Sequence, residues 1–105
     1  MEYPKTIEEA TDQLQGYWTT ENENGDLSFA IDGLKIVGME GAKETGTFDS
    51  IPDMDFSIAL DPNTTQWRLF NPFLFGAGAN IIEWDEDSFT VSLSDSGIER
   101  RFIQA

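Results

Sequence analysis

Apolar residues recur along this chain with two different periods. Over the first fifteen positions Ile7, Ala10 and Leu14 are spaced by three and four, which puts them on one helical face, and Thr6-Ile7-Glu8-Glu9 forms a capping box. The spacing predicts a helix over residues 6–15, stopped by Gly16. Beyond Gly16 the period falls to two. Leu27, Phe29 and Ile31 alternate with Ser28, Ala30 and Asp32; Phe56, Ile58 and Leu60 alternate with Ser57 and Ala59; Phe89, Val91 and Leu93 alternate with Thr90 and Ser92. Such alternation marks strands with one buried face.

Turn formers separate these runs at short intervals: Asn24-Gly25, Asp32-Gly33, Asp61-Pro62-Asn63, Asp85-Glu86-Asp87 and Ser94-Asp95-Ser96-Gly97. The Asp32-Gly33 pair, flanked by Ile31 and Leu34, predicts a type I′ hairpin centred on those two residues. Between Val37 and Phe48, Gly38, Gly41 and Gly46 interrupt any run and predict a bulge or a strongly bent strand. The pattern adds up to about eight or nine short strands with no second helix to cross over. The expected fold is mainly β, an antiparallel meander over residues 17–103 closing into a small barrel behind one short N-terminal helix. With 105 residues the chain forms a single domain, 1–105.

Charge narrows the function classes. Twenty acidic against six basic residues give a net charge of -14. A field of that sign repels nucleic acid and anionic membrane and favours a basic protein partner. There is no cysteine, so the core must hold without disulfides. The opening residues Met1-Glu2-Tyr3-Pro4-Lys5 lack the pattern of a secretory signal, and no apolar run reaches the length of a spanning helix, which predicts a soluble, cytoplasmic protein.

The junction Leu14-Gln15-Gly16-Tyr17-Trp18, followed by the meander, resembles the Gly-x-Trp entry of lipocalin-like and fatty-acid-binding-type barrels. That resemblance implies that Trp18 closes one barrel end beneath the helical turn, with an arginine of the last strand across its ring. Arg100 shares a face with Ile98 and Phe102 and is the candidate for that role, while Arg101 would face outward with Glu99. At 105 residues the strands must be shorter than those of typical lipocalins, which argues against an interior large enough for a lipid- or haem-sized ligand and favours a barrel that fills itself.

Motifs for chemistry are scarce. Asn22, Asn24 and Asp26 alternate around Gly25, but counting twelve positions from Asn22 puts Leu27 where a calcium loop needs glycine and Gly33 where it needs glutamate. No metal site and no cofactor is predicted. Histidine is absent, and Lys5, Lys35 and Lys43 form no recognised motif with a serine, so no nucleophilic machinery is readable. Gly76-Ala77-Gly78-Ala79-Asn80 is glycine-rich without the lysine or helix of a phosphate loop. Paired carboxylates lie in turns, where water keeps them ionised, so a carboxylate-based hydrolase ranks last and no catalytic residue is predicted.

The stretch from Trp67 to Ile82 carries no charge between Arg68 and Glu83. Two readings stand open. Phe73 and Phe75 fold inward as a plug completing the core, or the segment is an apolar contact patch. The leading functional expectation is a non-catalytic acidic binding protein, of inhibitor or immunity type. Its partner surface would consist of Phe70, Phe73, Leu74 and Phe75 with the acidic turn Asp85, Glu86 and Asp87. The alternative is a lipocalin-like carrier or sensor of a small apolar ligand, lined by Phe29, Phe56, Ile58, Trp67 and Phe89. Trp67 and Trp84 are expected in the core rather than as stacking platforms.

Overall fold

A computed structural model describes residues 3–20, 27–41, 52–72 and 74–104. Among these residues one helix, α1 (Ile7–Leu14), precedes nine antiparallel strands that form a nearly closed barrel. The Thr6 hydroxyl accepts a hydrogen bond from the Glu9 amide at 3.1 Å, and Glu8 and Glu9 place negative charge at the positive end of the helix dipole. Ala10 and Leu14 are buried, but Ile7 is 54% exposed and does not share their contact face.

The strands are β1 (Gly16–Thr20), β2 (Leu27–Asp32), β3 (Lys35–Gly41), β4 (Met54–Asp55), β5 (Ser57–Leu60), β6 (Trp67–Phe70), β7 (Ala79–Trp84), β8 (Ser88–Leu93) and β9 (Glu99–Gln104). Their order, β4-β3-β2-β1-β9-β8-β7-β6-β5, is a meander whose first and last members flank Phe56 in sequence. Residues 54–60 therefore bond to β3 through Lys35↔Asp55 and to β6 through Leu60↔Trp67, which draws the two sides of the sheet together. At the joint the Phe56 amide donates to the Leu34 carbonyl at 3.0 Å. Closure of this kind leaves little unpaired strand edge.

The β2–β3 hairpin differs from expectation by one position. Asp32 pairs with Lys35, so the turn residues are Gly33 and Leu34, with Gly33 at φ 63°. Positive φ at the first turn position alone is the type II′ pattern, in place of the predicted type I′ centred on Asp32-Gly33. The shift keeps Ile31 and Ile36 opposite each other and inside the barrel; a one-residue slip would turn one of those side chains outward. The predicted bulge is present at Gly38, where the register between β2 and β3 gains one residue on β3. Gly46 lies outside the described residues. A second bulge falls at Ile82 on β7, between the pairs Ile81↔Val91 and Glu83↔Thr90.

Inward-facing side chains fill the described interior. Trp18, Phe29, Trp67, Phe75, Phe89 and Phe102 are each almost wholly buried. Phe102 is central: Phe29 meets it edge-on at 5.5 Å, Phe89 is tilted against it at 5.0 Å and Phe75 approaches at 6.4 Å. Edge-to-face packing at these separations adds to the area term that holds such a core. No helix among the described residues is long and apolar enough to cross a membrane.

Candidate functional site

The barrel has two unlike ends. In an antiparallel meander alternate turns share a rim, so the α1–β1 junction and the β2–β3, β5–β6 and β7–β8 turns lie together at one end. Helix α1 covers that end. Trp18 donates its indole N–H to the Leu14 carbonyl at 2.7 Å and meets Phe89 edge-on at 4.7 Å. Gln15 fastens the helix terminus to the β2–β3 turn, its Oε1 accepting from the Gly33 amide at 2.7 Å and its Nε2 donating to the Gly33 carbonyl at 3.0 Å. Ahead of the helix, the Tyr3 hydroxyl accepts from the Trp67 amide at 3.2 Å, and the Pro4 carbonyl accepts from the Trp67 indole at 3.0 Å.

Trp18 thus lies buried beneath the helix, and Arg100 is set well apart from it along β9. Arg100 pairs with Val91, four positions along β9 from Gln104, the partner of Trp18. The guanidinium placed over a ring is that of Arg68, 5.4 Å from the centroid of Phe70. Both side chains project from the outer face of β6, where Arg68 also donates to the Ser94 hydroxyl at 3.0 Å and lies 3.8 Å from Asp61. Arg101 faces outward as expected, beside Ser88 and Glu83.

At the other end the segment between β6 and β7 folds inward. Asn71 organises it: its Oδ1 accepts from the Leu74 amide at 2.9 Å, its Nδ2 donates to the Asp55 carbonyl at 3.0 Å, and its own carbonyl accepts from the Phe75 amide at 2.8 Å. Leu74 and Phe75 are each 1% exposed, so they are core residues and not partner anchors; this corrects the expected contact surface. Phe70 is half-buried under Arg68, and Phe73 lies outside the described residues. Asp85, Glu86 and Asp87 are exposed, but at the helix-capped rim, away from the plug.

The residues proposed to line an internal ligand site are likewise committed to packing. Phe29, Phe56, Trp67 and Phe89 are buried, and Ile58 packs against them from a partly buried position. Trp67 is in the core as expected, while Trp84 sits half-buried at its margin with the Tyr3 ring edge-on at 5.9 Å.

The grouping that sequence reading missed is at the capped rim. Among the described residues the exposed large hydrophobics are Tyr3, Ile7, Tyr17, Leu34, Leu60 and Ile98; Tyr3, Ile7, Leu34 and Leu60 belong to the helix-capped end, while the Tyr17 side chain reaches along the outer wall to Gly38. The capped end also carries exposed acids: Glu8, Glu9 and Asp12 on α1, Asp32 beside the hairpin, and the 85–87 turn. Each of these positions is ordinary when read alone, and only the meander brings them to one rim.

Asp61, on the same rim, has a carboxyl held by its neighbours. A hydrogen bond from the Asn63 amide does most to hold it below the usual carboxylate range, helped by Thr64 and Asn80 and opposed by partial desolvation. A general acid needs a shift in the other direction. No three carboxylates among the described residues gather closely enough to hold a metal ion, and Asn22, Asn24 and Asp26 fall outside them.

Comparison with known proteins finds no matching family model, no match among curated proteins and no match among solved structures.

Proposed function

We propose that this chain is a non-catalytic binding protein that engages a basic protein partner through the helix-capped end of its barrel. The observation behind this reading is that four of the six exposed large hydrophobics among the described residues lie at one end, which also carries exposed acids. The acidic rim raises the encounter rate with a positively charged surface, while Ile7, Leu34 and Leu60 supply apolar anchors once contact is made. The division of labour is the one expected from the sequence, carried by a different surface.

A lipocalin-like kinship belongs to the same proposal. It is supported by the helix seated over Trp18 and weakened by the position of Arg100. Carriage of an apolar molecule inside the barrel has less support, because Phe29 and Phe89, which would line the cavity, both pack on Phe102, and Phe56 and Trp67 are buried in the same core.

Affinity capture from native lysate with cross-linking mass spectrometry tests the reading. Lys5 and Lys35 are exposed at the capped rim and should carry the cross-links to the partner. A Leu34→Ser, Leu60→Ser double variant should lose that partner while melting like the parent. A partner that cross-links through neither Lys5 nor Lys35, or that the double variant retains equally, would refute the assignment.

A further inference from the structure

Strands β6 and β7 share only the pairs Arg68↔Asn80 and Leu69↔Ala79 before the bulge at Ile82 turns β7 away. Residues 3–5 lie along the resulting gap, where Trp67 bonds to Tyr3 and Pro4 instead of to β7. An open cleft of about 510 Å³ remains on the outside of the barrel. Pro4, Leu60, Ile81 and Ile82 give it apolar walls, with the Tyr3 side chain beside them. Thr65, Gln66 and Lys5 supply its polar groups, and Lys5 is the one charged residue in the lining among the described residues.

Two donors there are unengaged. Among the described residues no carboxylate lies within ion-pair distance of Lys5, although the chain holds twenty acids. Gln66 uses its Oε1 to accept from Asn80 Nδ2 at 2.9 Å, and its Nε2 has no partner among the described residues. An apolar cleft with a cation and an amide donor matches a small ligand with a flat apolar body and one acceptor-rich head.

We propose that this cleft is a binding site for a compact aromatic monoanion, its carboxylate at Lys5 and Gln66 and its ring against Tyr3, Pro4 and Ile82. A single negative charge is the limit the site accepts, because the surrounding field of a chain at -14 opposes each further one. The distant part of that field is screened beyond about 8 Å at physiological salt, so the adjacent ammonium governs the head group. The cleft shares Tyr3, Lys5 and Leu60 with the capped rim, but ligand binding there does not require the protein-partner reading and is tested without any partner.

Naphthoate, with naphthalenemethanol as its uncharged counterpart, is titrated into the protein and followed by calorimetry. Naphthoate should bind below about 1 mM. Lys5→Gln should weaken it about threefold to fivefold, the range of an exposed ion pair, and change the alcohol by less than about twofold. Ile82→Trp, which fills the cleft from the outer face of β7, should weaken both by about tenfold or more. If that variant fails to fold, shifts of the Lys5 and Gln66 side-chain resonances on adding naphthoate to the parent protein serve instead. Absence of naphthoate binding, equal losses for acid and alcohol in Lys5→Gln, or unchanged binding in Ile82→Trp would each overturn the proposal, as would resonances of Lys5 and Gln66 that do not move.

Discussion

Replacing Phe75 by alanine distinguishes a plug from a lid. The ring is 1% exposed and approaches Phe102 edge-on at 6.4 Å, and Phe102 in turn supports Phe29 and Phe89. Truncating a buried phenylalanine costs about 3–5 kcal/mol, made up of lost transfer energy and the void left behind. The backbone around it is fixed by the Asn71 bonds to Leu74, Phe75 and Asp55, so the segment cannot collapse freely into the void. A loss near the middle of that range, about 4 kcal/mol, is therefore expected. It is a large share of the roughly 5–15 kcal/mol that holds a domain of this size. Urea unfolding followed by tryptophan fluorescence should show a lower midpoint with an unchanged slope. Phe70→Ala provides the internal comparison: that ring is half-exposed on the outer face, and its removal should cost about 1–1.5 kcal/mol or less. If Phe75→Ala costs no more than Phe70→Ala, residues 71–78 behave as a detachable flap, and the packing argument for this end of the barrel fails.

Three further outcomes follow from the same structure. Gly78→Ala should destabilise by about 1–3 kcal/mol, since Gly78 sits at φ 129° and a Cβ there would lie 2.6 Å from Arg68 Nη2; an unchanged denaturation midpoint would show that the Arg68 head group moves aside freely. Asp61 has a depressed folded-state value, so its contribution is present above the ordinary carboxylate value of 3.8 and is lost as pH falls through the lowered one. The stability gap between parent and Asp61→Asn should accordingly narrow in acid; a gap that stays constant from about pH 6 to pH 2.5 would contradict the hydrogen-bonding account. Salt should raise the melting temperature by screening self-repulsion at a net charge of -14, and a flat salt profile would mean that the acids are well compensated in the fold.

What the sequence revealed and what it hid divide along physical lines. Local chemistry was readable: Thr6 caps α1, alternation identifies Phe29, Phe89 and Val91 as inward, and Gly38 makes a bulge. The β2–β3 turn was misplaced because Asp32-Gly33 and Gly33-Leu34 are both acceptable turn pairs. The choice between them depends on nonlocal groups, the inward pair Ile31 and Ile36 and the Gln15 side chain across the rim. Alternation within β6 carried a signal that was passed over, since Trp67 and Leu69 face in and so Arg68 and Phe70 must be outward neighbours. The plug and the contact patch were indistinguishable at Leu74 and Phe75, because a charge-free segment satisfies both until the direction of the loop is known. The capped rim and the outer cleft were invisible for another reason. They gather residues from the N-terminal segment, three turns and a bulge, and proximity of that kind exists only after the barrel closes.

The union of β1 with β9 also governs how the molecule can be made. Trp18 meets Gln104 and Thr20 meets Phe102, so the ring is completed by partners more than eighty positions apart. Contacts of such separation form late, after a large loss of chain entropy. A ribosome would have to release every residue through β9 before β1, already paired with β2, could fill its second edge, leaving a growing sheet with a raw margin in the interval. Mutual repulsion among its many carboxylates would keep neighbouring nascent chains apart during that wait, so an acidity that strains the finished barrel also protects its assembly.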